Sequence, residues 1–137
     1  MAKDIYHNAV CHGLEREGWT ITHDPLEIDF GEVLLKIDLG AEQLIAAQKQ
    51  GEKIAVEIKS FLGVSTIYQF HTALGQYYNY RFALKAVEPE RLLYLAVPSS
   101  TYKDFFSRRF TQMIVEEVEI KLIVFNLLEE EIVQWKS

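Results

Sequence analysis

Apolar residues recur at the helical interval near the start of the chain. Tyr6, Val10 and Leu14 fall at i, i+4 and i+8, and Gly18 supplies the usual stop. The spacing predicts a helix from Asp4 to Glu17, then a short strand from Trp19 through Thr22 that His23-Asp24-Pro25 ends. The period then changes to two. From Glu32 to Leu39 the residues Val33, Leu35, Ile37 and Leu39 alternate with Leu34, Lys36 and Asp38, as on a strand. Two further apolar stretches, Leu44 to Lys49 and Lys53 to Lys59, flank Gln50-Gly51-Glu52 and predict a β-hairpin. In its second arm Ile54, Val56 and Ile58 project to one side, while Ala55, Glu57 and Lys59 project to the other.

Helical spacing returns from Ile67 to about Leu84. Phe70, Leu74 and Tyr77 form one stripe, and Gln69, Thr72, Gln76 and Tyr80 form another. The run Arg91 to Val97 is apolar almost throughout and short for a helix, so it predicts a central strand covered on both faces, ended by Pro98. Thr101 and Asp104 have capping-box spacing, which predicts a helix running to about Val118. Lys121 to Phe125 and Ile132 to Trp135 predict two last strands around Glu129-Glu130-Glu131. The order α-β-β-β-β-α-β-α-β-β is that of an α/β sandwich with a mixed sheet, one domain over residues 1–137.

Composition narrows the functional classes. With 137 residues, 49% hydrophobic, the chain is long enough to build its own core. At that size folding hides about 65–70% of the unfolded chain's surface, so no staple is needed. Cys11 is the sole cysteine and cannot form an internal disulfide. MAKDIYHNAV lacks the pattern of a secretory signal, and no apolar run reaches the roughly 20 residues of a membrane span. A cytoplasmic, membrane-free setting is expected. Fourteen basic against 20 acidic residues, a net charge of -6, argue against an all-over electrostatic grip on nucleic acid. A local basic patch remains available at Arg81 with Lys85, or at Lys103 with Arg108 and Arg109, although such spacing is also that of ordinary solvated faces. The histidines His7, His12, His23 and His71 show no His-Glu-x-x-His spacing, which argues against a zinc enzyme. Cys11 reads as a small helix residue with no marked base beside it. Phosphate-binding glycine loops, nucleophile elbows and dinucleotide fingerprints are absent from the sequence.

The chemistry concentrates in IAVEIKSF, residues 54–61, where a carboxylate and an ammonium stand two apart on a strand. A period of two makes Glu57 and Lys59 neighbours on one face, whereas a helix would turn them apart. Asp38, upstream, sits on the polar set of its own strand, so sheet pairing can bring its carboxylate beside Glu57. Two carboxylates that close repel unless a cation lies between them. Mg²⁺, or Mn²⁺, suits such a pair, because it takes oxygen ligands and keeps positions for water and a phosphate oxygen. Lys59 would then orient a water or neutralise charge in the transition state, and phosphodiester hydrolysis uses all three groups. The bland alternative is an exposed ion pair worth about 0–1 kcal/mol. A second Glu-Ile-Lys, at 119–121, has no upstream aspartate at comparable spacing and serves as an internal control. Gln76 and Tyr80 share a helix face downstream of the first copy only.

Asp38, Glu57-Ile58-Lys59 and Gln76-x-x-x-Tyr80 together resemble the PD-(D/E)xK nuclease superfamily, particularly its RecB-like and Holliday-junction-resolvase-like branches. GWTITHDPL (18–26), IDLGAE (37–42), IAVEIKSF (54–61), ALGQY (73–77), LYLAVP (93–98) and KLIVF (121–125) resemble the XisH family, the cyanobacterial fdxN-element excision controlling factors. That second resemblance spans nearly the whole chain. It implies a restriction-endonuclease-like sandwich, with a central mixed sheet flanked by helices. It also implies a role in programmed site-specific DNA excision, beside a recombinase and a small XisI-type partner. Carried over by position, Asp38 and Glu57 would be metal ligands, Lys59 the catalytic lysine, and Gln76 and Tyr80 supporting residues. Ile37 stands where the superfamily has its proline. Glu42 could replace or supplement Asp38, and His7 could join the cleft. A homodimer fits by analogy with nucleases that cut two strands. The alternative function is a non-catalytic accessory protein that keeps the fold and binds the recombinase or the XisI-type partner.

Overall fold

The computed structural model describes residues 2–29, 31, 34–35, 43–62 and 65–137 of the chain. Helix α1 (Ala2–Arg16) is followed by strands β1 (Thr20–His23), β2 (Ile28–Asp29), β3 (Leu34–Leu35), β4 (Gln43–Lys49) and β5 (Glu52–Ile58). Helix α2 (Thr66–Val87) then leads to β6 (Arg91–Pro98). A helical segment of three parts comes next: α3 (Ser99–Thr101), a π turn (Tyr102–Phe106) and α4 (Arg109–Val118). The described chain closes with β7 (Leu122–Asn126) and β8 (Glu131–Lys136).

Six strands form a mixed sheet in the order β1-β4-β5-β6-β7-β8, with β5, β6 and β7 parallel and the outer pairings antiparallel. The β4-β5 hairpin forms as expected, but its loop is two residues, not three. Gln50 and Gly51 have φ of 49° and 86°, the two positive values that a type I′ turn demands and that match the twist of the strands. β6 lies inside the sheet, as its apolar run predicted.

Alternation along the strands divides the core in two. Ile45, Ala47, Ile54, Val56, Ile58, Ala96, Ile123 and Phe125 pack with Ala9, Val10 and Leu14 of α1. Leu44, Ala46, Ala55, Leu95, Val97, Leu122 and Val124 face the other way, onto Phe70, Tyr77 and Tyr80 of α2 and Phe105 and Phe106 of the π turn. Helices therefore cover both faces of the sheet, giving an α/β/α layering. On the α1 face, Gly13 lets the helix approach β8 closely, since a Cβ there would lie 3.1 Å from the Ile132 backbone nitrogen. On the other face Tyr77 is a tie between layers: its hydroxyl donates to Leu93 O at 2.8 Å and accepts from Lys121 N at 3.0 Å. Burial raises the Tyr77 phenol above its ordinary pKa, which keeps it a neutral donor.

Two expectations need correction. The single helix from Thr101 to Val118 is broken, and Thr101 is no N-cap. Its backbone is already helical (φ -65°, ψ -40°), whereas an N-cap must be extended to turn its side chain onto the first amides. Consecutive Phe105 and Phe106 are both buried against Phe70, at ring separations of 5.4 and 5.6 Å, and they fall in the widened turn. Arg108 then adopts ψ 144° and the helix restarts. The second correction is β2, a strand the pattern did not disclose, which pairs with β3 as a separate two-stranded ribbon. The neighbours of β5 are β4, as the hairpin predicted, and β6. Most of the expected strand from Glu32 to Leu39 lies outside the described residues, and so does Asp38.

Val56 is completely buried in mid-sheet, so Val56→Asp leaves a charge with no counter-ion among the apolar residues around it. Urea denaturation should show a loss on the order of 3–5 kcal/mol. Tyr77→Phe strands the Leu93 carbonyl and the Lys121 amide, and the same measurement should register a loss of about 1–3 kcal/mol.

Candidate functional site

β5 presents Glu57 to the side covered by α2, the side opposite to Val56 and Ile58. Lys59 follows the end of the strand, and its amide donates to Ala96 O at 3.1 Å, which continues the parallel register with β6. Glu57 and Lys59 therefore stand side by side, as their spacing predicted. Lys59 Nζ lies 3.5 Å from Glu57 Oε2. The same ammonium donates to Gln76 Oε1, from the middle of α2. Ser65 accepts from the Tyr68 amide at 3.3 Å, capping α2 and fixing where the helix, and hence Gln76, begins its run across the sheet. Tyr80, one turn beyond Gln76, is buried in the core on this face.

The bland alternative of an exposed pair does not hold: Glu57 is 0% and Lys59 3% exposed. Removing two such charges from water costs several kcal/mol per ion. Their attraction at 3.5 Å returns about 5 kcal/mol at an effective dielectric constant of 20. The two effects nearly cancel, so the pair contributes little to folding. What it does is hold a carboxylate and an ammonium in fixed positions in a dry environment. Glu57 is a hard oxygen donor of the kind Mg²⁺ uses, and that ion commonly takes only one or two carboxylates from a protein. Asp38 and Glu42, the other expected ligands, lie outside the described residues.

The internal control separates cleanly. Glu119 is not on a strand but at the left-handed C-cap of α4 (φ 59°), so Glu119 and Lys121 have none of the side-by-side geometry of the first copy. Arg81, one of the expected basic residues, is committed to that helix end, donating to Val118 O at 2.6 Å and Glu119 O at 3.1 Å. Arg108 lies over the Phe105 ring. Two clefts open elsewhere, one lined by Trp19, Lys49, Lys53 and Trp135 and the other by Tyr77, Arg81, Arg91 and Lys121, and neither is lined by Glu57 or Lys59.

His7 is placed differently from the cleft position considered for it. On α1, against the other face of the sheet, its Nε2 meets Asp24 Oδ2 at 2.6 Å and Cys11 Sγ at 3.5 Å. Cys11 thus does have a base beside it, contrary to the reading of the sequence. The i, i+4 spacing of His7 and Cys11 was a signal for that contact. Asp24 arrives from the turn after β1 and had no local signal. Burial first, then the negative charges of Asp24 and Glu15, push the Cys11 thiol up to about 12.

The family model described as XisH protein matches residues 1–133. An XisH family protein from Nostoc punctiforme is 49% identical, with a TM-score of 0.90, over 98% of this chain and 100% of that one. An fdxN element excision controlling factor protein from Anabaena variabilis is 50% identical, also with a TM-score of 0.90, over 98% of this chain and 99% of that one. No curated protein matches the chain. Among the described residues, no helix is long and apolar enough to cross a membrane.

Removing one member of the buried pair leaves the other uncompensated. Lys59→Met is expected to cost about 3–5 kcal/mol in urea unfolding, and the double substitution Glu57→Leu with Lys59→Met should recover most of that loss.

Proposed function

The chain belongs to the XisH family, and from that premise we propose that it is a Mg²⁺-dependent, endonuclease-like protein of programmed site-specific DNA excision. In this reading its mixed sheet and helices are a restriction-endonuclease-like, PD-(D/E)xK sandwich, with Asp38, Glu57 and Lys59 at its centre. The observation that carries the proposal is the Glu57–Lys59 pair, 3.5 Å apart on a dry strand face, with Gln76 accepting from the same ammonium. Further support comes from the similarity to the Anabaena variabilis protein described as an fdxN element excision controlling factor.

Glu57 and Asp38 would hold the ion; Mn²⁺ could replace it. When bound, the metal would supply Lewis-acid polarisation of a phosphate and a more acidic water. The residues of the chain do the rest. Gln76 restrains the Lys59 side chain, so the ammonium needs little reorganisation to meet negative charge building on a phosphoryl oxygen. Glu57 holds that ammonium close to the strand, at 3.5 Å. Tyr80 lies on the same helix face as Gln76, buried one turn further along. DNA is then the substrate, and a site-specific recombinase and a small XisI-type protein are the proposed partners, in the cytoplasm.

One observation favours a second reading. Glu57 and Lys59 are almost wholly covered and bonded within the fold, as in a scaffold that binds partners without cutting. The net charge of -6 suits protein partners better than a broad DNA footprint.

Incubation with branched, nicked and linear DNA in Mg²⁺ or Mn²⁺ tests the choice. Cleavage by the wild type that falls about 100-fold or more in both Glu57→Gln and Lys59→Ala is the expected result. Equal cleavage by wild type and Glu57→Gln would sink the catalytic assignment. Absence of cleavage, with no calorimetric heat of Mg²⁺ binding that depends on Asp38 and Glu57, would leave the accessory-protein reading.

A further inference from the structure

The face of the sheet opposite Glu57 carries a second group of chemically capable side chains. His7 and Cys11 are one turn apart on α1, so their side chains share a helix face. Asp24 reaches them from the turn that follows β1. His7 Nε2 is 2.6 Å from Asp24 Oδ2 and 3.5 Å from Cys11 Sγ. One nitrogen, one sulfur and one carboxylate oxygen all lie within 4.8 Å of one another.

Two features of this cluster choose between its possible roles. A nucleophilic Cys-His-Asp relay needs the thiol at one ring nitrogen and the carboxylate at the other, so that the imidazole can pass a proton between them. Here both neighbours meet the same Nε2. The relay is therefore not wired, and a thiol raised to about 12 is a poor nucleophile at neutral pH. One donor atom from each of three residues, all within 4.8 Å of one another, is instead the arrangement that a shared central ion requires.

We propose that His7, Cys11 and Asp24 bind a single zinc-class divalent cation, which pins α1 to the turn after β1. The donor set is mixed imidazole, thiolate and carboxylate, which suits Zn²⁺ and is too soft for Mg²⁺. In a tetrahedral zinc site, ligand distances of 2.0–2.3 Å place neighbouring donor atoms about 3.3–3.6 Å apart. The His7–Cys11 separation of 3.5 Å already fits. The His7–Asp24 contact, 2.6 Å without an ion, has to open by about 0.7 Å to reach that spacing. The His7 and Asp24 side chains are 19% and 30% exposed, so the ion has a route in from water and a fourth position for a water ligand. Burial disfavours a free thiolate first, and the negative charges of Asp24 and Glu15 second; those two charges attract a cation, and coordination deprotonates a thiol outright. Histidine spacing alone carries no sign of this cluster, because its carboxylate comes from a residue 17 positions from His7. This site is on the opposite side of the sheet from Glu57 and stands whether or not the protein cuts DNA.

Cobalt(II) is the probe, added to the full chain after chelator dialysis. The wild type should show a sulfur-to-cobalt charge-transfer band in the near ultraviolet with tetrahedral visible bands, all abolished by added zinc. Cys11→Ala should lose the charge-transfer band while circular dichroism reports an intact fold. His7→Gln and Asp24→Asn should weaken zinc binding by about tenfold or more in competition with a chromophoric chelator, whereas His12→Gln, an exposed histidine of the same helix outside the cluster, should bind zinc like the wild type. No sulfur band in the wild type, or equal zinc affinity in all three ligand variants, would overturn the proposal.

Discussion

Strand β5 is covered by helices on both of its faces, and a strand in that position has no solvent side on which to place a charge. Its alternation nonetheless assigns Glu57 to one of those covered faces, and Lys59 follows at the same side two residues later. Carboxylate and ammonium must therefore meet each other, because water is not available to either. Every other feature of the site follows from that requirement. Gln76 accepts from the ammonium because α2 is the layer that lies over this face, and Ser65 caps the helix at the point that delivers Gln76 there.

The tie between layers is equally economical. Tyr77, the residue after Gln76, turns its hydroxyl between β6 and β7 and joins the helix to two parallel strands. Adjacent residues on one helix thus divide the work, one serving the polar group and the next fixing the helix against the sheet. A helix that carries both can hold the polar contact to a narrow geometry, which is what electrostatic preorganisation asks of a site.

The opposite face is organised by a different constraint. α1 packs through Ala9, Val10 and Leu14, which leaves His7 and Cys11 at its margin, where the turn after β1 supplies Asp24. The Glu57 carboxylate under α2 and the imidazole, thiol and carboxylate set under α1 are separated by the thickness of one sheet.

Local pattern was enough for what is local. The period of two in 54–59 placed Glu57 beside Lys59, the helical period placed Gln76 and Tyr80 on one face of α2, and the apolar run of β6 announced a strand inside the sheet. It was not enough at Thr101, where capping-box spacing was present but the backbone was already helical, since packing of two successive phenylalanines outweighed a cap worth about 1 kcal/mol. Nor did it disclose β2, two residues long and defined only by its partner. Whether Glu57 and Lys59 were a solvated pair or a dry one was open until α2 was seen to cover them, because spacing fixes direction and says nothing of what lies there. His7 and Cys11 were adjacent by sequence, but Asp24 joins them only through the packing of α1 against β1, a contact between residues 17 apart that no local rule contains.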